Sequence, residues 1–436
     1  MACEWQETPL SDLTESDTPV TYGVVKPGVE DPDGVLFIRG GDIANGRVLT
    51  EQLRTISKDV SSQYKRTLLC GGEIVMSLVG NPGQVAIVPE SLRGANIARQ
   101  AALIRLRPDV NTRFVMYFLG SRVGQEALGA HSRGSVQQVI NLGDLKTVRI
   151  PTPPLIEQRA IAHILGTLDD KIELNRRINK TLEAIARALF KSWFVDFDPV
   201  RAKAEGRDPG LPKHLADLFP DRLDDSELGE IPEGWEVASL PEVVDVNPSR
   251  PLRKGTIAPY LDMANMPTKG HSADQVVERE FGSGMRFING DTLLARITPC
   301  LENGKTAFVD FLVDGQVGWG STEYIVLRPK PPLPEEYAYC LVRSADLREF
   351  AIQSMTGTSG RQRVPPESLA YYQVALPPKM IADAFGRAVK PRFARAGAAV
   401  RESRILTALR DTLLPKLISG ELRVKDAERF LKERGL

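Results

Sequence analysis

Between Pro154 and Trp193 the positions Ile161, Leu165, Leu168, Ile172, Asn175, Asn179, Leu182, Ala186, Leu189 and Trp193 alternate in steps of four and three. That spacing is a heptad seam, one apolar stripe on an otherwise polar helix. Gly166 is the only residue in the run that weakens a helix, at a cost of about 1 kcal/mol. Roughly 38 residues at the α-helical rise make a rod of about 57 Å, too long to bury its seam inside a small domain. The rod therefore calls for a partner helix of similar length. The competing reading, an ordinary long core helix, fits poorly with regular spacing that runs past the usual helix length. Asn175 and Asn179 interrupt the apolar seam, and the spacing predicts that each is met by a matching amide that fixes the register.

A second apolar stripe runs over about 380–414, through Phe385, Val389, Phe393, Ala396, Val400, Leu406, Leu409 and Leu413. Pro391 lies inside it, which predicts a kink or a late start. Pro415 and Gly420 read as terminators, and KDAERFLKERG as a short charged helix beyond them.

Ahead of the first rod, the runs VLFIRGGDI, GGEIVMSLVG, GQVAIVPE, AALIRLRP and KTVRIP read as short strands, and NTRFVMYFLGSRVGQEALGA as helical. Pro151, Pro153 and Pro154 close this part. After Trp193 the Pro-, Gly- and Asp-rich text reads as an extended, partly ordered connector. Then the chain begins again. GWEVASLPEV restates EWQETPLSDL, with Trp235 answering Trp5 and Leu240 answering Leu10. NGDTLLARITPCLENGKTAFV restates GGEIVMSLVGNPGQVAIV, and STEYIVLRPK restates RQAALIRLRP. PEEYAYCLVRSADLREFAIQS restates NTRFVMYFLGSRVGQEALGAH, and SGRQRVPPESLAYYQVALPP restates RGSVQQVINLGDLKTVRIPTPP. A repeat of this length, each copy closing on a rod, predicts globe, rod, connector, globe, rod.

The expected fold class is α+β: two similar α/β globes separated by two long antiparallel helices that form a coiled coil, with a pseudo-twofold internal repeat. The expected boundaries are a globe over 1–154, a spacer helix over 155–195, an acidic connector over 196–234, a second globe over 235–378, a second spacer helix over 379–420 and a tail over 421–436.

At 436 residues several domains are expected. Cys3, Cys70, Cys300 and Cys340 are scattered singly, which indicates neither a disulfide framework nor a zinc site. No apolar run is long enough to span a membrane and no signal-peptide pattern opens the chain, so a cytoplasmic location is expected. The net charge is zero, but it is unevenly spread. Residues 34–154 carry 15 Lys and Arg against 8 Asp and Glu, while residues 194–235 carry 5 against 11. Phosphate contacts need only a local basic face.

Catalytic equipment is sparse. Gly304-Lys305-Thr306 resembles the end of a phosphate-binding loop, but Pro299 stands where the first glycine belongs and a strand follows. No Gly-rich turn for S-adenosylmethionine, no nucleophile elbow and no metal-spaced histidines are present. What recurs is a polar loop in each half. Arg133, Ser135, Gln137 and Gln138 occupy the first, and Arg361, Gln362 and Arg363 the second. Arg39 and Arg296 lie in further loops of the same globes. Arg suits the guanine O6/N7 edge and Gln the adenine N6/N7 edge in the major groove. These nine residues are the candidate DNA-binding set; closing the domain with Gly/Ser/Gln turns is the competing role for each.

The long stretch IPTPPLIEQRAIAHILGTLDDKIELNRRINKTLEAIARALFKSWFVDFDPV and the later LLPKLISGELRV resemble the specificity subunits of type I restriction–modification systems, over essentially the whole chain. The resemblance implies a non-catalytic subunit whose two target recognition domains each read half of a split double-stranded DNA site. The helices would set the gap and dock two modification (methyltransferase) subunits, joined by restriction (translocase and nuclease) subunits. S-adenosylmethionine, ATP and Mg would sit on those partners, with no cofactor on this chain. The second rod departs from the family pattern in lacking the Glu-Gln pair after its prolines. A specificity module of a methylation-only or other defence system, and a protein–protein scaffold, are the alternatives.

Overall fold

The computed structural model describes residues 5–17, 20–129, 139–358 and 360–425. The chain divides into two compact units: Met1–Ile172 with Ile405–Leu436, and Glu173–Arg404. Two 40-residue helices, Leu155–Phe194 and Lys379–Ile418, each contribute a segment to both units.

The two units share one topology. The first holds a four-stranded sheet in the spatial order Thr21–Tyr22, Ala101–Ile104, Ile74–Ser77, Val85–Ile87. The second holds Val244–Val246, Tyr324–Pro329, Thr292–Ala295, Thr306–Phe308 in the same order. A further sheet repeats as well. Val35–Ile38 pairs antiparallel with Arg54–Ile56 and parallel with Asn96–Ile97. Ile257–Leu261 pairs antiparallel with Val277–Glu280 and parallel with Gly318–Gly320. A closing pair joins the two ends of each repeat, Glu7–Pro9 to Arg149–Pro151 and Glu236–Ser239 to Gln373–Leu376.

Central strands are buried on both faces, and the pleat sorts their side chains between two cores. Ile74, Met76, Ala102 and Ile104 face a core shared with the long helices, while Val75, Ala101 and Leu103 face a smaller distal one. In the second unit Leu294, Ile325 and Leu327 face the helical core, and Leu293, Ala295, Tyr324 and Val326 the distal one.

Within each unit the long-helix segments run antiparallel. In the first, Arg410 bridges Asp169 at 2.7 Å and Arg423 bridges Glu157 at 2.5 Å. Ile161, Leu165, Leu168 and Ile172 share a core there with Leu406, Leu409, Leu413 and Leu417. In the second, Asn175 meets Glu402, and Phe190 meets Phe385 at a centroid distance of 6.2 Å. Most seam positions are buried, but Asn179, Leu182 and Leu189 on the first helix are only half-buried, with Phe190 facing inward beside Leu189, and on the second helix Ala399 rather than Val400 faces inward.

Four expectations are corrected. The second long helix starts at Lys379, well ahead of Pro391, so there is no late start; Pro391 lies on its exposed side. Pro415 does not end that helix. The chain turns out at Gly420, whose φ of +74° is the left-handed conformation a helix C-terminus uses. Third, the seam amide is met by a carboxylate, not an amide: Asn175, fully buried, donates Nδ2 to Glu402 Oε2 at 2.8 Å. The carbonyl oxygens of Asn175 and Asn179 are both buried without a hydrogen-bond partner. Fourth, the 196–234 stretch is not extended. It forms the helices Asp198–Ala204 and Lys213–Ala216 and the hairpin Leu223–Ser226/Gly229–Pro232. Phe197, Val200, Phe219 and Ile231 anchor it in the helical core, so a few apolar residues between the prolines decide its structure. The KDAERFLKERG run lies almost wholly outside the described residues.

The Asn175–Glu402 contact makes a direct prediction. Asn175→Leu removes the amide donor to a carboxylate and should cost about 1–3 kcal/mol, whereas Asn175→Leu with Glu402→Leu should recover most of that loss. Urea unfolding of the four variants of the cycle measures it. A loss in the double variant equal to the sum of the two single losses would show that the pair does not interact.

Both repeat tryptophans close a rod. Trp5 packs on Gly420 beneath the Arg423 guanidinium, 5.7 Å from its ring, at the end of the second helix. Trp235 packs on Phe194 and Phe197 at the end of the first, at centroid distances of 6.0 and 5.6 Å. Among the described residues no helix is long and apolar enough to cross a membrane.

Candidate nucleic-acid interface

Each unit builds a three-way backbone junction where the candidate loops meet. In the first unit, Leu78 N–H donates to the Gln100 carbonyl at 2.8 Å and Ile140 N–H to the Leu78 carbonyl at 3.1 Å. Val79 bridges Val139. In the second, Arg296 N–H donates to the Glu323 carbonyl at 3.0 Å, Val364 N–H to the Arg296 carbonyl at 2.9 Å, and Ile297 bridges Arg363. The junctions match bond for bond. The end of a central strand is clamped between the turn that precedes its neighbour and the polar loop that leads to the closing strand.

The side chains on this shared frame differ. Where the second junction carries Glu323, Arg296 and Arg363, the first carries Gln100, Leu78 and Val139. Glu323 accepts from Arg363 Nε at 2.9 Å and from Arg296 Nε at 3.2 Å. Foremost the Arg363 hydrogen bond, and then that of Arg296, hold the Glu323 carboxyl below the usual carboxylate range, against the opposing effect of burial. Its stabilising contribution is present above the unfolded carboxylate pKa of about 4.3 and is lost as pH falls through the lower folded value. Glu323→Gln should therefore lower the melting temperature at pH 7 and converge with the parent as the pH falls below the lowered folded value. A constant gap across that window would exclude the carboxylate as the cause.

The structure places the candidate residues as follows. Arg296 and Arg363 come together on one carboxylate, which supports the loop but occupies their guanidinium groups. Arg361 lies on the turn Thr358–Arg361, closed by a 3.0 Å backbone bond. It makes no ion pair among the described residues; its carbonyl accepts from Arg363 Nη1. The Gln362 carbonyl accepts from Thr298 N–H at 3.0 Å, and among the described residues its side chain makes no hydrogen bond. Arg39 grips Asp42 through Nε at 3.0 Å and Nη2 at 2.8 Å, while its own N–H caps the same carboxylate at 2.7 Å. That bracket fixes the Gly40–Asp42 turn. An added Cβ at Gly40 would stand 2.9 Å from Ser77 Oγ, 3.1 Å from the Gln100 carbonyl and 3.2 Å from the Val79 carbonyl, so the Arg39 turn belongs to the first junction. Arg133, Ser135, Gln137 and Gln138 lie outside the described residues.

Sequence reasoning missed Arg99 and Gln100, both exposed at the first junction. Their signal was present: ARQAALIRLRP and STEYIVLRPK are repeat partners, so the residues just before these strands occupy matching turns.

Residues 3–184 match the family model of the type I restriction modification DNA specificity domain. Over 96% of this chain and all of the relative, the sequence is 24% identical to the type I restriction enzyme HindI specificity subunit of Haemophilus influenzae. Over 97% of this chain and 94% of the relative, it is 27% identical to the MjaIX specificity subunit of Methanocaldococcus jannaschii. The crystal structure of a type I restriction–modification S subunit from M. genitalium superposes with a TM-score of 0.58 at 15% identity, covering 95% of this chain and 96% of that one, and so shares the fold. A specificity-domain match in the first half, end-to-end similarity to curated specificity subunits and a fold shared along both repeats agree: over residues 3–184 the chain matches the type I restriction modification DNA specificity domain, and along its whole length it is similar to type I restriction enzyme specificity subunits.

Proposed function

We propose that this chain selects the DNA on which a type I restriction–modification complex acts, each recognition domain (1–154 and 235–378) reading one half of a split duplex site. The observation that carries the reading is the pair of matching junctions with different side chains. A backbone frame shared by the two units presents the loops, and the side chains on it differ, Gln100, Leu78 and Val139 in one unit against Glu323, Arg296 and Arg363 in the other, so the two half-sites would be read differently. Arg361 and Gln362 in the second unit, and Arg99 and Gln100 with the 133–138 residues in the first, are the side chains offered to base edges. The role is non-catalytic. Modification subunits, two in number and docked on the long helices, would bring S-adenosylmethionine and the methyl transfer. Restriction subunits would bring ATP and Mg, all in the cytoplasm.

The test is to map adenine methylation in DNA from cells that express this chain with its modification subunit. A split motif with a constant gap is expected, and exchanging residues 235–378 for those of a relative should change one half of it alone. Methylation at a continuous motif, or loss of both halves on the exchange, would overturn the reading. A steeply salt-dependent affinity for duplex DNA, which phosphate contacts impose, would count against the alternative of a protein–protein scaffold that binds no nucleic acid.

A further inference from the structure

Apart from the junctions, the second unit holds a pocket of about 330 Å³ lined by Arg187, Lys269, Arg343, Arg348 and Asn303 over an apolar floor of Leu294, Leu301 and Val342. No carboxylate lines it. The arginines here meet backbone carbonyls, as Arg392 and Arg404 do. Elsewhere in this unit Arg250, Arg296, Arg328 and Arg363 are each ion-paired to Asp or Glu. Around the pocket, Arg187 donates to the Arg343 carbonyl at 3.2 Å and Arg348 to the Glu302 carbonyl. Arg343 donates to the carbonyls of Thr268, Gly270, Gly304 and Thr306 and to the Tyr339 hydroxyl. Arg343 also lies over the Tyr339 ring at 5.4 Å, and the Tyr339 hydroxyl donates to Glu183 at 2.8 Å, so one carboxylate stands a bond away; Arg187 and Arg348 keep N–H donors beyond the carbonyls they meet, and neighbouring like charges are unfavourable unless an anion joins them.

The internal repeat shows that the fold does not require this charge. The preceding helix ends alike in both units: Ser121 Oγ donates to the Phe118 carbonyl and Ser344 Oγ to the Leu341 carbonyl, each at 2.7 Å. The residue before each serine is Gly120 in one unit and Arg343 in the other, and the fourth residue after it is Gln125 against Arg348. In the first unit neutral Gln125 closes the corner, donating to the Gly83 carbonyl at 2.9 Å. In the second, Arg343 takes that bond, to the Gly304 carbonyl at 2.9 Å. Two guanidinium groups, Arg343 and Arg348, thus stand where the equivalent corner needs one amide, and Arg187 of the long helix adds a third beside them.

We infer that this pocket is a phosphate-binding site. Arg343, its donors occupied, supplies fixed charge. Arg187 and Arg348, both exposed, supply mobile guanidinium donors of the geometry that phosphate oxygens accept in pairs. The volume falls at the lower end of small-ligand sites, roughly 300–1,000 Å³, and the apolar floor suits the organic part of a phosphate ester. The phosphate comes either from a small molecule or from the backbone of bound DNA.

The experiment titrates the full chain with inorganic pyrophosphate by calorimetry and, separately, with a duplex, beside Arg187→Gln with Arg348→Gln. Both positions are exposed, and a matching melting temperature checks that the variant folds. At least tenfold weaker pyrophosphate binding in the variant, with duplex affinity unchanged, identifies a small-molecule phosphate. Weaker duplex binding with a shallower salt slope identifies the DNA backbone. Unchanged affinity for both overturns the proposal. The pyrophosphate arm needs no DNA, so it stands or falls apart from the recognition of a split site.

Discussion

Phe385→Ala should destabilise the second unit by about 3–5 kcal/mol, the range for emptying a fully buried aromatic site. Phe385 has no exposed surface and is the hub of an aromatic cluster. It meets Phe194 edge-on at 4.9 Å and 89°, Trp193 at 6.1 Å and Phe190 at 6.2 Å. All three partners lie on the first long helix and Phe385 on the second, so one side chain ties the two rods inside this unit. Ring–ring contacts add about 0.5–1.5 kcal/mol each beyond area burial, and the surrounding rings are too large to collapse into the void. Phe385→Leu, which keeps most of the volume, should cost clearly less. Guanidinium unfolding followed by tryptophan fluorescence reads the difference, because Trp193 borders the site. A loss under 1 kcal/mol for the alanine variant would mean that the rods do not pack through this cluster.

Arg361→Ala should weaken methylation at one half-site by about 1–3 kcal/mol of lost discrimination, from fivefold to more than a hundredfold, and leave the other half-site unchanged. Arg361 is the arginine of its loop that no carboxylate holds, among the described residues, and it sits on a turn pinned to a strand end. Arg363→Ala, a few ångströms along the same chain, should act differently. It removes the donors that hold Glu323, so its main effect should be on stability, with relaxed specificity following only where the loop loosens. Comparing methylation rates at matched and single-base-mismatched sites separates the two. If Arg361→Ala leaves the mismatch penalties intact, base readout does not pass through this residue.

Much of this architecture was legible from spacing. A step of four and three over Ile161–Trp193 can bury one stripe only, and that requirement located the first rod within a residue of each end. Trp5 and Trp235, and the strand phrases restated downstream, marked the repeat because each copy must bury the same two strand faces. Proline misled at position 415, and at 391 as far as the helix start is concerned; packing of Val389, Phe393, Leu413 and Leu417 keeps the helix running past both. The seam amide misled because an asparagine is satisfied by any acceptor that arrives opposite its Nδ2, and which residue arrives depends on the register of a helix distant in sequence.

The candidate site was legible in part. Loop position follows from the repeat, but the engagement of each arginine does not. Glu323 is 27 residues from Arg296 and 40 from Arg363, and only the clamped junction brings the three together. The sequence alone determined the class of fold, the duplication and the rods, because hydrophobic periodicity is a local property that burial enforces everywhere along a segment. Tertiary structure decided which cations are held by carboxylates, which are held by carbonyls around a pocket and which stay open to a ligand. Charge pairing depends on distances of a few ångströms between residues far apart in the chain, and no local pattern carries that information.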